Sequence, residues 1–327
     1  MGIVNVSLPN ARTRAGVANP PTGRLGIVHS SLHRTRLHGS QHPSILSAVR
    51  LEPLTELRWA YQLHYYICFR TRRRTARFNG DNRKQSLARA LGEVCGNHGY
   101  HLLQHKVYSD HLRCLLSLRP DHAISRVVNT LKSNLARKIC SEFGLEPPLW
   151  ATGYLARSVG RVRIQAVKQY LANQAEHHGY ASRVNPPVFR YRAGCAAALS
   201  TEHAVFDLLH HLVVATKYRR GVFGSSLGKE LVEYWLRVAH KRGFAIDEAT
   251  VLPDHVHMLV RLRPTMSING CTLSLLNNSQ HWLNEHHSPL LVREGLDRVW
   301  QPSAYGGTCG SVTTAQVKAF LGKTGLS

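Results

Sequence analysis

Leu252-Pro253-Asp254-His255-Val256-His257-Met258-Leu259-Val260 runs on into Arg261-Leu262-Arg263-Pro264, and Tyr108-Ser109-Asp110-His111-Leu112-Arg113-Cys114-Leu115-Leu116 runs on into Ser117-Leu118-Arg119-Pro120. The two stretches are versions of one pattern: an Asp-His step, a short apolar run, a basic exit and a proline. In a strand, residues i and i+2 point to the same face. His255 and His257 therefore project side by side, with Val256 turned into a core. The earlier copy offers His111 and Arg113 in those places.

The repeat extends outward from this strand. Leu63-His64-Tyr65-Tyr66-Ile67-Cys68-Phe69 pairs with Leu209-His210-His211-Leu212-Val213-Val214-Ala215 as a buried strand, and each run enters a basic turn. One turn holds Arg70, Arg72, Arg73 and Arg74; the other holds Lys217, Arg219 and Arg220. Helices are predicted at about 83–97 and 229–242, ending at Gly99 and Gly243, as a left-handed C-cap prefers. The distance from Gly99 to His111 equals that from Gly243 to His255. Second helices follow at 124–142 and 268–284. Leu149-Trp150 then matches Val299-Trp300, and Tyr154 and Gly160 match Tyr305 and Gly310 with one residue deleted. Each copy closes on a helix, Val167-Lys168-Gln169-Tyr170-Leu171 or Val317-Lys318-Ala319-Phe320-Leu321. One copy thus holds the histidine pair and the other the tyrosine hydroxyl.

The order strand, helix, strands, helix, short strand, helix predicts an α+β fold in each half: an antiparallel sheet with helices on one face. The expected organisation is a basic arm at 1–56, a first domain at 57–180, a proline-bearing linker at 181–200 and a second domain at 201–327.

Hydrophobic residues make up 43% of the 327 positions, enough for two cores, while the net charge of +23 calls for a polyanionic partner. Nucleic acid comes first and an anionic membrane surface second. No run approaches the roughly 18 apolar residues of a membrane span, and no charged start followed by an apolar stretch marks the chain for secretion. The seven cysteines lack any C-x-x-C pair, which argues against a disulfide framework or zinc ribbon and for reduced thiols in the cytosol.

Two imidazoles on one strand face make a bidentate metal platform; the plain alternative is two histidines on a sheet surface. Tyr170 and Gln174 share a helix face at i, i+4. A phenol with its pKa near 10 is a poor nucleophile until a base or metal assists it, and an amide oxygen one turn on can serve as a neutral ligand. The alternative is a tyrosine packing its ring on the sheet. Phe320 keeps that ring and lacks the hydroxyl. Tyr65, Tyr66 and Tyr218 are candidates for stacking on bases or for the core.

Pro-Asp-His-Val-His-Met-Leu-Val, the His-His-Leu-Val-Val-Ala-Thr-Lys-Tyr-Arg-Arg run and the Tyr-x-x-x-Gln helix resemble the TnpA family, the small single-tyrosine HUH transposases of bacterial insertion sequences, related to REP-associated tyrosine transposases. The resemblance covers most of 57–180 and 201–327. It implies ferredoxin-like domains paired as a dimer, here fused into a pseudo-dimer within one chain, with a further homodimer open. It implies a Mg²⁺ or Mn²⁺ ion held by His255, His257 and Gln174, and Tyr170 as the nucleophile forming a 5′-phosphotyrosine link to single-stranded DNA. DNA hairpins at element ends are the implied partners, and a bacterial, nucleoid-associated cytoplasmic setting follows. His111, Arg113 and Phe320 would form an inert second site. The competing expectation is a catalytically reduced hairpin-binding repressor or end-binding factor.

Overall fold

The computed structural model describes residues 52–160, 164–172 and 187–322. The basic segment 1–51 and Gln174 lie outside the described residues, as does the side chain of Tyr170. The first half runs β1 (Arg58–Gln62), β2 (His64–Arg70), α1 (Asp81–Asn97), β3 (His101–Val107), β4 (His111–Ser117), α2 (Ile124–Phe143), β5 (Tyr154–Val159) and α3 (Ile164–Ala172). A strand, β6 (Phe189–Arg192), forms inside the stretch expected as linker. The second half runs β7 (Ala204–Asp207), β8 (Leu209–Thr216), α4 (Ser225–Arg242), β9 (Ala245–Leu252), β10 (His255–Arg261), α5 (Ile268–His286), α6 (Ser288–Arg293), β11 (Trp300–Cys309) and α7 (Thr314–Gly322).

Alternation decides each sheet's covered face. Leu112, Cys114 and Leu116 of β4 are fully buried, as are Val256, Met258 and Val260 of β10. Helices α1 and α2 pack as one pair, α4 and α5 as the other. Gly243 caps α4 with φ 76°, a conformation that costs glycine little.

The strands order as β3-β4-β2-β5-β7 and β1-β11-β8-β10-β9-β6. Both sheets are antiparallel except at exchanged strands: β1 of the first half lies parallel to β11, and β7 of the second half parallel to β5. Terminal helices cross as well. Val317 and Leu321 of α7 pack with Leu115 and Val159 of the first sheet. Val167 of α3 packs on Leu209, Leu259 and Cys309 of the second. The expectation of helices on one face is therefore incomplete, because the opposite half's last helix covers part of the other face.

Between the halves the contacts are reciprocal. Ser158 Oγ accepts from Leu209 N–H at 2.9 Å and donates to Cys309 O at 2.5 Å. Thr308 Oγ1 accepts from His64 N–H at 2.9 Å and donates to Val159 O at 2.7 Å. Such self-complementary pairing is the mark of an approximate twofold. A Cβ on Gly310 would meet Ser158 O at 2.5 Å, so this crossing point needs glycine.

The structure shifts the expected strand alignment by one residue. Thr71 N–H donates to Asp110 O and Thr216 N–H to Asp254 O, while Leu118 N–H donates to Leu63 O and Leu262 N–H to Leu208 O. Leu63 therefore corresponds to Leu208, not Leu209. Both apolar runs continue through either register, so hydrophobicity could not separate them; the turn threonines do. Likewise β5 Leu155 pairs with Cys68 and β11 Tyr305 with Val213, which are equivalent positions. Tyr305 thus corresponds to Leu155 rather than Tyr154, and no deletion separates Trp150–Gly160 from Trp300–Gly310.

Candidate active site

Strand β10 runs between β8 and β9, so its alternate residues are fixed on both sides. His255 and His257 are each 5% exposed, with ring centroids 5.0 Å apart and planes at 68°. His255 Nδ1–H donates to Asp254 Oδ1 at 2.6 Å, and Arg219 Nε lies 2.8 Å from the other oxygen, Oδ2. Burial raises the Asp254 carboxyl, but the hydrogen bond from His255 and the cationic neighbours outweigh it and hold the group below the ordinary carboxylate range. With Nδ1 committed to Asp254, the lone pair of His255 falls on Nε2.

His257 Nδ1 lies 3.1 Å from His211 Nε2. Burial pushes His211 down to about 4, so its ring is neutral at physiological pH. The Tyr305 and His211 rings meet in a T-shaped contact with centroids 5.7 Å apart.

A carboxylate fixing the tautomer of one of two neighbouring imidazoles is the support that a histidine metal ligand uses. The donor set fits a divalent ion in that respect. Among the described residues no group of three or more His, Cys, Asp or Glu is placed to hold a metal, so a third protein donor would be of another type or come from outside them. An amide such as Gln174 meets that requirement chemically.

The helix bearing Tyr170 lies on this sheet. Besides the Val167 contact, Lys168 Nζ is 2.9 Å from Glu248 Oε1, and Arg192 Nε is 3.4 Å from the same oxygen. Glu248 is 5% exposed and pairs across strands with Leu259, two residues beyond His257. Tyr170 follows Lys168 within α3. Glu248 and Lys168 escaped the sequence reading; the available signal was an acid in the middle of the buried strand Ala245–Leu252.

In the other half His111 keeps its aspartate, with Nδ1 2.6 Å from Asp110 Oδ1. Tyr108 stacks on His111 at 4.1 Å. Arg113 lies 4.8 Å from the Tyr108 ring centre and 5.4 Å from that of Phe320. His111 and Arg113 thus both meet the Tyr108 ring, and Phe320, supplied by the opposite half, lies against Arg113.

The basic turns are twins. Arg73 and Arg74 have φ of 55° and 54°, and Tyr218 and Arg219 have 58° and 57°. Thr75 N–H donates to Arg72 O at 3.2 Å and Arg220 N–H to Lys217 O at 3.3 Å. Two left-handed central residues closed by that bond make a type I′ turn, which normally takes Asn or Gly. Arg70, Arg72, Arg73 and Arg74 are exposed and form no ion pair among the described residues. In the second turn Lys217 pairs with Asp297 at 2.6 Å and Arg219 with Asp254, so these two cations are shared with the protein itself. Arg220 is exposed. Tyr65 is buried in the core, whereas Tyr218 is 70% exposed and open to stacking.

A family model described as "Transposase IS200 like" matches residues 59–174 and again residues 204–323. The ISDra2 transposase TnpA of Deinococcus radiodurans is 26% identical over 117 residues, 36% of this chain and 84% of that protein. The transposase for insertion sequence element IS200 of Salmonella typhimurium is 26% identical over 122 residues, 37% of this chain and 80% of that protein. Among solved structures, a putative transposase from Deinococcus radiodurans R1 is similar at 28% identity and TM-score 0.30, covering 35% of this chain and 92% of that one. A REP-associated tyrosine transposase bound to a REP hairpin is similar at 16% identity and TM-score 0.26, covering 38% and 72%.

Proposed function

The chain belongs to the IS200-like transposase family, in two tandem copies, and on that premise we propose that it cleaves and rejoins single-stranded DNA at one composite active site. The observation that carries this reading is the crossing of α3: the helix holding Tyr170 packs through Val167 and Lys168 on the sheet whose strand β10 holds His255 and His257. The two copies are the lobes at 57–180 and 201–327, joined by 181–200 and preceded by a basic arm at 1–56. The substrate is a DNA hairpin at an element end, and the setting is the bacterial cytoplasm.

Tyr170 attacks the scissile phosphorus. The bond from phosphorus to the 3′ oxygen breaks, and the 5′ phosphate remains on the phenol oxygen. In net terms the phenol proton ends on the departing 3′-OH. Attack by a 3′-OH on the phosphotyrosine reverses the step and joins strands. His255, His257 and Gln174 would hold a Mg²⁺ or Mn²⁺ ion, whose chemistry is Lewis-acid polarisation of a phosphoryl oxygen. Asp254 keeps the His255 ring in the useful tautomer, and Arg219 holds Asp254. Arg70, Arg72, Arg73, Arg74 and Arg220 neutralise backbone phosphates. With Phe320 in place of a tyrosine, the other pocket makes no covalent link, so one chain makes one cut at a time.

The test is incubation with a hairpin oligonucleotide and Mn²⁺ or Mg²⁺, followed by denaturing electrophoresis. The wild type and Tyr305→Phe should give a denaturation-resistant protein–DNA adduct, and Tyr170→Phe should not. Adduct surviving Tyr170→Phe refutes the assignment. Binding without adduct in the wild type leaves the catalytically reduced hairpin-binding protein as the better reading.

A further inference from the structure

We propose that the pocket around Arg113 is a phosphate-binding site that grips a backbone phosphate of DNA without cutting it, a fixed guanidinium standing where the other lobe places a metal-ligating imidazole. The proposal rests on DNA being the substrate, but not on the cleavage step. Arg113 holds on β4 the position that His257 holds on β10, since each lies opposite an equivalent residue of the neighbouring strand, Cys68 or Val213. The neighbouring Asp-His pair has the same 2.6 Å geometry in both lobes. Where the second lobe has the His257 imidazole, the first has the Arg113 guanidinium. Guanidinium has five donors and no lone pair to offer a metal, so it can bind an anion and not a cation.

The surroundings leave its charge unanswered. Arg113 enters no ion pair among the described residues, and its flanking groups are the rings of Tyr108 and Phe320. Cys68 is raised by burial and stays a thiol. Tyr66 is pushed up to about 12, chiefly by burial, and stays a phenol. The carboxylate of Asp110 accepts from His111, which holds it in its charged form. Helix α7, which closes the pocket, brings Lys318 and no acid. Arg113 Nε and His111 Nε2 are buried without hydrogen-bond partners among the described residues. A sheltered cation with an unspent donor is costly unless an anion joins it. A phosphodiester supplies both the charge and the acceptor oxygens, in the planar geometry guanidinium favours. Arg70 pairs across strands with His111 and leads from the exposed Arg72–Arg74 turn toward the pocket.

The experiment is binding of a fluorescent single-stranded oligonucleotide to the full chain in EDTA, across a range of salt. Arg113→Gln should weaken binding about tenfold, the scale of a charged hydrogen bond, and lower the magnitude of the log–log salt slope by about 0.7. Because Arg113 also packs between two rings, Arg113→Lys is measured beside it. It keeps the charge and should keep the slope. Affinity and slope unchanged in both variants overturn the site, as does a slope lost equally in both. Inorganic phosphate that raises the melting temperature through Arg113, while oligonucleotide binding ignores Arg113, shows a free-phosphate site and overturns the assignment to DNA. EDTA removes the metal-dependent reaction, so failure of adduct formation does not alter this result.

Discussion

Tyr65 and His210 occupy equivalent positions in the two lobes and bond to each other, the phenol oxygen 2.8 Å from Nε2. A contact between equivalent residues marks the approximate twofold itself. Burial drives His210 down to about 4 and the Tyr65 phenol well up, so a neutral ring accepts from a neutral O–H. The exchanged strands β1 and β7 and the Ser158 and Thr308 clasps repeat on either side of this pair.

Loss of the phenol should therefore weaken the junction of the lobes. Tyr65→Phe leaves His210 Nε2 buried without its donor and should cost about 1–2 kcal/mol in urea unfolding at neutral pH. In the wild type, the unfolded chain binds a proton at His210 near 6.5 and the folded chain only near 4. The unfolded state thus holds more protons between those values. The His210 contribution is complete above about 6.5 and is lost as pH falls toward 4. A His210→Gln variant whose stability falls just as steeply across that window would remove His210 from the account.

On the proposed metal role of His255 and His257, Asp254 should govern their affinity for the ion. Asp254→Asn keeps the shape but loses the carboxylate that fixes His255 and anchors Arg219. Mn²⁺ binding, followed by electron paramagnetic resonance without DNA, should weaken by about 10–100-fold. Asp110→Asn, the same change in the lobe without a histidine pair, should leave Mn²⁺ binding alone. Equal losses in the two variants would count against the His255–His257 assignment.

The histidine pair was legible because a strand's period of two places His255 beside His257, and the repeat was legible because Gly99–His111 and Gly243–His255 have equal spacing. What the sequence hid was long-range. An apolar run such as Leu208–Ala215 fits two registers, and only the Thr216 hydrogen bonds choose between them. Arg219 looks like a phosphate contact until its carboxylate partner, 35 residues on at Asp254, is seen across the turn. Exchange of β1, β7, α3 and α7 leaves no periodic trace, because a strand or helix has the same pattern whichever lobe it covers.

The Lys168–Glu248 pair ties α3 to the second sheet beside the Val167 packing. Glu248 is buried and Lys168 half-exposed, so the pair itself is worth little, but a lone buried carboxylate is costly. Lys168→Met should destabilise the chain by about 1–2 kcal/mol, with Arg192 offsetting part of the loss. Adding Glu248→Leu should recover stability, so that the double variant lies closer to the wild type than Lys168→Met does. Hydrogen exchange across α3 should speed up in the single variant and slow again in the double. Additive losses would show that the pair does not hold the helix.

On the proposed function, the twin turns set stability against binding. Arg73 and Arg74 sit in the left-handed region that costs an L-residue roughly 1–2 kcal/mol each, and the turn they form favours Asn-Gly. Replacing the pair by Asn-Gly should raise stability by about 1–2 kcal/mol in urea unfolding. It should also remove two exposed cations and lower the magnitude of the salt slope for single-stranded DNA by about 1.4, at about 0.7 per phosphate. Replacing Tyr218-Arg219 by Asn-Gly should relieve similar strain, yet it breaks the Arg219–Asp254 pair and so should weaken Mn²⁺ binding, which the first replacement leaves unchanged. The two turns share a backbone and differ in partners: Arg72–Arg74 are exposed, whereas Arg219 pairs with Asp254 beside His255, so on the proposed function the first would present charge to DNA and the second would steady the aspartate. A first-turn variant that becomes more stable with its DNA salt slope intact would show that these arginines make no contact with phosphate, and the strain would then lack a functional counterpart.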